Sequence, residues 1–237
     1  MDIEARTVHR NSLQCAQPIV GVVLVGCLIG ANLAAPHECR GQSQPATSRA
    51  HSNDSERSEV DAESALSRFR EAGGVAQWVD RDHTHLLLGR FSKRDRRVPL
   101  SQLEVLPQVN TLTLHGPGFT NDDMEVVARW SHLKRLHVVY NDDVDDEGVR
   151  YVRQLSKLER LHLWDARLTD AGMKHVASLP KLRFLEISNS AIGDDGLAHL
   201  KGNQNLGEVR LWGTNVSAEA AEKLEKSLPA CKVYAVD

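Results

Sequence analysis

The chain has 237 residues, 41% of them hydrophobic, 26% charged and only 5% aromatic, the makeup of one folded domain with tails whose core is aliphatic. With 29 basic and 32 acidic residues the net charge is −3, which argues against a chain drawn as a whole to nucleic acid. The four cysteines, Cys15, Cys27, Cys39 and Cys231, include no Cys-x-x-Cys pair, which argues against a zinc site and against a dense disulfide framework.

Residues 1–35 read as an export signal or membrane anchor. The apolar run Ile19 to Gly30, inside Pro18 to Ala35, follows Arg6, His9 and Arg10. A permanent span needs roughly 20 apolar residues, so this shorter run suits the hydrophobic region of an export signal. Leu24-Val25-Gly26-Cys27 resembles the lipobox of bacterial lipoproteins, which would make Cys27 the lipidated residue. Lipidation at Cys27 and an uncleaved anchor stand side by side. Cleavage near Ala34 or Ala35 is disfavoured by Leu33 and Pro36. Each reading places the remainder outside the cytoplasm, in the cell envelope. Residues 36–60 are rich in Ser, Gln and charge with almost no large apolar residues, so they are expected to be a disordered linker.

Residues 61–237 form the folded domain, divided as an N-terminal cap (61–91), repeats (92–228) and a C-terminal cap (229–237). Ala62, Ala65, Leu66, Phe69 and Ala72 make a helical stripe that Gly73-Gly74 ends. Val75 to Val79 and His83 to Phe91 then read as a hairpin, placed where a stack needs its apolar edge covered. The pattern Leu-x-x-Leu-x-Leu follows at Val109/Leu112/Leu114, Leu133/Leu136/Val138, Leu158/Leu161/Leu163, Leu182/Leu185/Ile187 and Leu206/Val209/Leu211. The step is about 24 residues, inside the range for leucine-rich repeats. A degenerate sixth copy starts at Leu86 and continues through Val98, Leu100, Leu103 and Leu106.

A helix start follows each strand: Phe119-Thr120-Asn121, Val144-Asp145-Asp146, Leu168-Thr169-Asp170, Ile192-Gly193-Asp194 and Val216-Ser217-Ala218. The second copy carries an extra residue near Tyr140 to Asp143, expected as a bulge. The last copy has lost both the Asp and the Gly of its predecessors. Leu224, Leu228 and the stretch Pro229 to Val236 should close the stack, with Cys231 as a small buried hydrophobe. A bridge from Cys231 to Cys39 is the alternative.

On these five in-phase copies the chain resembles bacterial leucine-rich repeat proteins of the helix-containing, ribonuclease-inhibitor-like kind, from Leu86 to the C-terminus. The resemblance implies an α/β solenoid, an arc with parallel strands on the concave face and helices on the convex face. Many such repeats place Asn after the strand. Here that slot holds Pro117, Asn141, Ala166, Ser190 and Thr214, so other groups must satisfy the turns.

Side chains alternate along a strand, so the residues between the leucines face the concave side. They form three columns: Thr111, Arg135, Arg160, Phe184, Glu208; Thr113, His137, His162, Glu186, Arg210; and His115, Val139, Trp164, Ser188, Trp212. Arg and Trp are residue types that dominate binding energy at interfaces. The candidate contact surface is Arg135, His137, Arg160, His162, Trp164, Arg210 and Trp212. It is weighed against the plainer reading that any solvated sheet face needs polar residues.

His137 and His162 lie on adjacent strands without a third ligand, so no metal is expected. The acidic run Asp142 to Glu147 lacks a calcium loop's closing Glu and suits a helix start instead. Lys93-Arg94-Asp95-Arg96-Arg97 reads as a solvated loop. Without a nucleophile motif, phosphate loop or zinc motif, no enzyme and no cofactor are expected. The expected function is a non-catalytic scaffold binding a protein partner through the concave face, with neither nucleic acid nor a small-molecule substrate. A structural envelope protein without a specific ligand is the alternative.

Overall fold

The computed structural model describes residues 62–90, 100–103, 106 and 108–236. The expected signal or anchor with Cys27, the linker, Cys39 and the basic run 93–97 lie outside these residues. Helix α1 covers 62–71 and buries the expected stripe of Ala62, Ala65, Leu66 and Phe69. It ends at Gly73, whose φ of 94° is left-handed. Strands β1 (Val75–Trp78) and β2 (His85–Gly89) pair antiparallel. β2 then turns its other edge to β3 (Thr111–His115), in parallel. Leu86 and Leu88 align with Leu112 and Leu114, so β2 closes the hairpin and opens the repeat stack. A short 3₁₀ turn at Leu100–Leu103, between β2 and β3 in the chain, buries Leu100 and Leu103.

The remaining elements alternate: α2 (Asn121–Val127), β4 (Arg135–Val139), α3 (Asp146–Val149), β5 (Arg160–Trp164), α4 (Asp170–Ala177), β6 (Phe184–Ser188), α5 (Asp194–Ala198), β7 (Glu208–Trp212), α6 (Ala218–Ser227) and β8 (Lys232–Val236). α3 and α5 are single turns that continue as 3₁₀ segments, Arg150–Gln154 and His199–Gly202. The sheet runs β1 to β8 in chain order and is parallel from β2 onward.

The leucine pattern accounts for this order. Leu112, Leu136, Leu161, Leu185 and Val209 share one register row, Leu114, Val138, Leu163, Ile187 and Leu211 another, and all are fully buried. Each such side chain is worth about 1.5–3 kcal/mol when removed from water. It finds its cover only in the next repeat, so single copies have no core of their own.

A second ladder runs along the helix starts. In four successive repeats the first helical residue serves the next repeat rather than its own helix. Asn121 accepts from the Asp145 N–H at 3.1 Å and donates to Asp145 Oδ1 at 2.8 Å. Asp146 accepts from the Thr169 N–H at 2.9 Å and from its hydroxyl at 2.6 Å. Asp170 accepts from Gly193 N–H at 2.7 Å, and Asp194 from Ser217 N–H at 2.7 Å and its hydroxyl at 2.8 Å. The recurring glycines make room for this. A Cβ at Gly148, Gly172 or Gly196 would collide with the Oδ1 of Asn121, Asp146 or Asp170 respectively. In the last copy Ala218 holds the Asp position, and its side chain has no carboxylate to offer. Ser217 there enters the helix at φ −76°, against −114° to −128° for the four earlier caps.

The residue after each repeat strand adopts the left-handed conformation: Gly116, Tyr140, Asp165, Asn189 and Gly213. From Tyr140 to the cap at Asp145 is five positions, against four from Gly116 to Thr120, so the extra residue falls in this turn. Asn141 there is fully buried and donates to the carbonyls of Leu114 and Val139. The acidic run beside it is absorbed by capping, since Asp145 accepts from Glu147 N–H and Asp146 serves Thr169.

At the N-terminal cap, Arg90 is 1% exposed. Its guanidinium donates to Gly118 O at 2.7 Å and Asp123 Oδ2 at 2.8 Å, and lies 4.3 Å from the centre of the Phe119 ring. Cys231 is buried as a free thiol, pushed up to about 11 by burial and by Glu225 and Glu208. Among the described residues no helix is long and apolar enough to cross a membrane.

Candidate binding site on the strand face

Three register rows cross the sheet face away from the leucine core, and they are the columns read from the sequence. The first row opens with Thr111, Arg135, Arg160 and Phe184. Arg135 and Arg160 are exposed, and Phe184 is buried. The Arg160 guanidinium lies 4.2 Å from the Phe184 ring centre, and that of Arg210 lies 5.2 Å from it. Phe184 is a platform for two cations, a role its column position alone did not reveal.

A run of stacked rings joins the middle row to the first. His137 and His162 stack with centroids 4.2 Å apart and planes 13° from parallel. His162 stacks on Phe184 at 4.9 Å, and His137 approaches His85 at 6.5 Å. His85, in register with Thr111, places its Nε2 3.1 Å from Oγ1 of Thr113, the register neighbour of His137. Parallel stacking turns the ring edges side by side and does not converge their nitrogens on a common point. Among the described residues no three His, Cys, Asp or Glu side chains come together as a metal set.

The stack sits in a field of like charge. Burial, then His162, His85, Arg160 and Arg135, push His137 down to about 3, so it is neutral at physiological pH. Burial also lowers His85, with Arg135 adding to the effect and Asp80 opposing it. Next along, His162 Nδ1 lies 3.4 Å from Glu186 Oε2, and Arg210 lies 3.9 Å from the same oxygen. Burial pushes the Glu186 carboxyl up, but His162, Arg210 and the nearby Trp164 indole outweigh it and hold it low. His162 Nε2 is buried without a hydrogen-bond partner.

The candidate residues therefore differ in what they can offer. Arg135, Arg160 and Trp212 stand exposed. His137, His162 and Trp164 are half-buried, so they offer edges rather than whole rings. Arg210 is engaged within its own strand, donating to Glu208 Oε1 at 2.6 Å. The third row ends the strands with His115, Val139, Trp164, Ser188 and Trp212. Beyond it, exposed Tyr140 meets His115 edge-on at 5.4 Å. Tyr140 was not among the expected contact residues, and its φ of 59° is set by a turn that only the fold specifies.

Residues 131–152 and 178–201 match the family model described as Leucine Rich repeat. No curated protein sequence is significantly similar to the chain. Among solved structures, internalin C2 of Listeria monocytogenes superposes with a TM-score of 0.39 and 26% identity, over 47% of this chain and 45% of that one. An internalin, inlF, of the same organism gives a TM-score of 0.42 and 18% identity, over 58% of this chain and 44% of that one. The chain thus spans less than half the length of either internalin.

Proposed function

We propose that this leucine-rich repeat protein is a non-catalytic scaffold that binds a protein partner through its concave strand face. The folded domain is held outside the cytoplasm by residues 1–35, through Cys27 or an uncleaved anchor, and spaced from the membrane by residues 36–60. The supporting observation is the exposure of Arg135, Arg160 and Trp212 on the face opposite the leucine core, beside the half-buried Trp164. None of these four is needed to build the solenoid, whose leucines face the other way. Arg and Trp on a rigid face give large contact areas with little ordering cost.

The test is Ala substitution at Arg160, Trp164 and Trp212 together. It should abolish capture of the partner from an envelope extract while leaving the thermal midpoint within a few degrees of the parent. Capture that survives the triple substitution would remove the strand face as the binding surface and leave a structural envelope role. Mass spectrometry of the mature N-terminus separates the anchors, with a diacylglycerol on Cys27 expected for the lipidated form and an intact Met1 for the uncleaved one.

A further inference from the structure

Arg135 and Arg160 are directly opposite each other on β4 and β5. Like charges facing each other across neighbouring strands destabilise a sheet. The flanking positions in the same row could carry an acid to relieve this, but they are Thr111 and Phe184. Among the described residues neither guanidinium has an ion-pair partner, whereas Arg210, two strands on, is neutralised by Glu208. Arg160 is nevertheless held in place, against the Phe184 ring. The excess of positive charge widens at the strand starts, where Lys134, Lys157, Lys181 and Arg183 are all exposed and without an ion pair among the described residues, against Glu159 as the opposing acid there. It is local, because the whole chain carries −3.

The other end of the same two strands is different. Val139 and Trp164 are paired in the third row, four residues along from Arg135 and Arg160, and Asp165 follows β5. A strand rises about 3.3 Å per residue, so the two ends are about 13 Å apart, a distance an extended peptide covers in four residues. A ligand of uniform negative charge would use only the arginine end and would be repelled near Asp165. A peptide can use both ends.

We infer that the face over β4 and β5 receives an extended segment of a protein partner. One of its carboxylate side chains is shared by Arg135 and Arg160, and an apolar side chain about four residues away rests on the half-buried Trp164, beside the buried Val139. Guanidinium pairs suit a carboxylate because each can donate two parallel N–H bonds. This reading rests on the strand face being the binding surface and adds the chemistry of what it binds.

The experiment selects a random 12-residue peptide display library against the full-length protein in detergent, alongside the R135E/R160E and W164A/W212A variants. Selected peptides should carry Asp or Glu about four residues from an apolar residue. By fluorescence anisotropy the R135E/R160E variant should bind such a peptide at least 10-fold more weakly. It should also bind the same peptide with its acid changed to Lys better than the parent does, a gain that a misfolded variant could not show. Affinity for the acidic peptide should fall as salt rises.

Heparin or oligo-dT binding tightly where no peptide is selected would overturn the inference, as would an empty selection. Peptides lacking an acid, or unaffected by R135E/R160E yet lost in W164A/W212A, would overturn the acidic chemistry and leave the strand-face reading standing. Peptides indifferent to both variants would remove both.

Discussion

Replacing His137 by Gln should change how the stability of the protein depends on pH. His137 is pushed from 6.5 to about 3 in the fold, first by burial and then by His162, His85, Arg160 and Arg135. The sign follows from proton counting. Between pH 6.5 and 3 the unfolded chain binds a proton at this residue and the folded chain does not, so lowering the pH favours unfolding. The stability tied to a neutral His137 is complete above pH 6.5 and is lost progressively as pH falls toward 3. The slope approaches about 1.4 kcal/mol per pH unit in this window. At pH 5 the loss relative to pH 8 is about 2 kcal/mol, from these two values alone.

Gln cannot titrate, and it removes this contribution whatever constant offset the lost ring stacking adds. Urea unfolding at pH 8, 7, 6 and 5, read by tryptophan fluorescence, gives the parent-minus-variant difference at each pH. That difference should shift by about 2 kcal/mol against the parent between pH 8 and pH 5. A companion NMR titration should show the His137 ring unprotonated at pH 5. Parallel pH profiles for parent and variant, or a ring that titrates near 6.5, would refute the reasoning.

Two further substitutions address the scaffold. Gly172→Ala puts a methyl group where Asp146 Oδ1 bonds Thr169, and should lower stability by about 1–3 kcal/mol, the worth of disturbed charge-assisted bonds. Gly202→Ala, with open space around its Cβ, serves as the control and should be neutral or slightly stabilising; equal effects at both sites in chemical denaturation would contradict the ladder. Asp123→Ala removes the carboxylate that buried Arg90 donates to, and should cost about 3–5 kcal/mol in the same assay. A loss under 1 kcal/mol would mean that the cap does not depend on this pair.

The sequence was most informative where a rule is local and repeated. Alternation of leucines with polar residues placed Arg135 beside Arg160, His137 beside His162 and Trp164 beside Ser188, because a parallel stack with a fixed step leaves one register. The extra residue between Tyr140 and Asp145 and the glycine stop after α1 were legible for the same reason. What resisted reading depends on contacts between distant residues. Asp146, Asp170 and Asp194 look like helix-start acids acting on their own dipoles, yet their partners lie one repeat further on. Arg90 reads as an ordinary charge after a strand, and only folding brings it to Phe119 and Asp123, 33 residues away. The unequal exposure of the candidate face followed from neighbours too. Phe184 and Glu186 occupy the positions that engage Arg160, His162 and Arg210, and pattern reading weighs each residue without its neighbours across the sheet.

The side chains that join successive helix starts also give the array a direction of growth. A unit copied within the interior would bring its own carboxylate for the unit after it and its own backbone donor for the unit before. Both seams would then close with chemistry already present. A unit appended after α6 would meet Ala218, whose side chain has no oxygen to offer, and the residue before its helix would lack the partner that Asp146, Asp170 and Asp194 supply elsewhere. Lengthening by internal duplication is therefore compatible with this architecture, whereas extension at the carboxyl end requires a new acid at position 218 first.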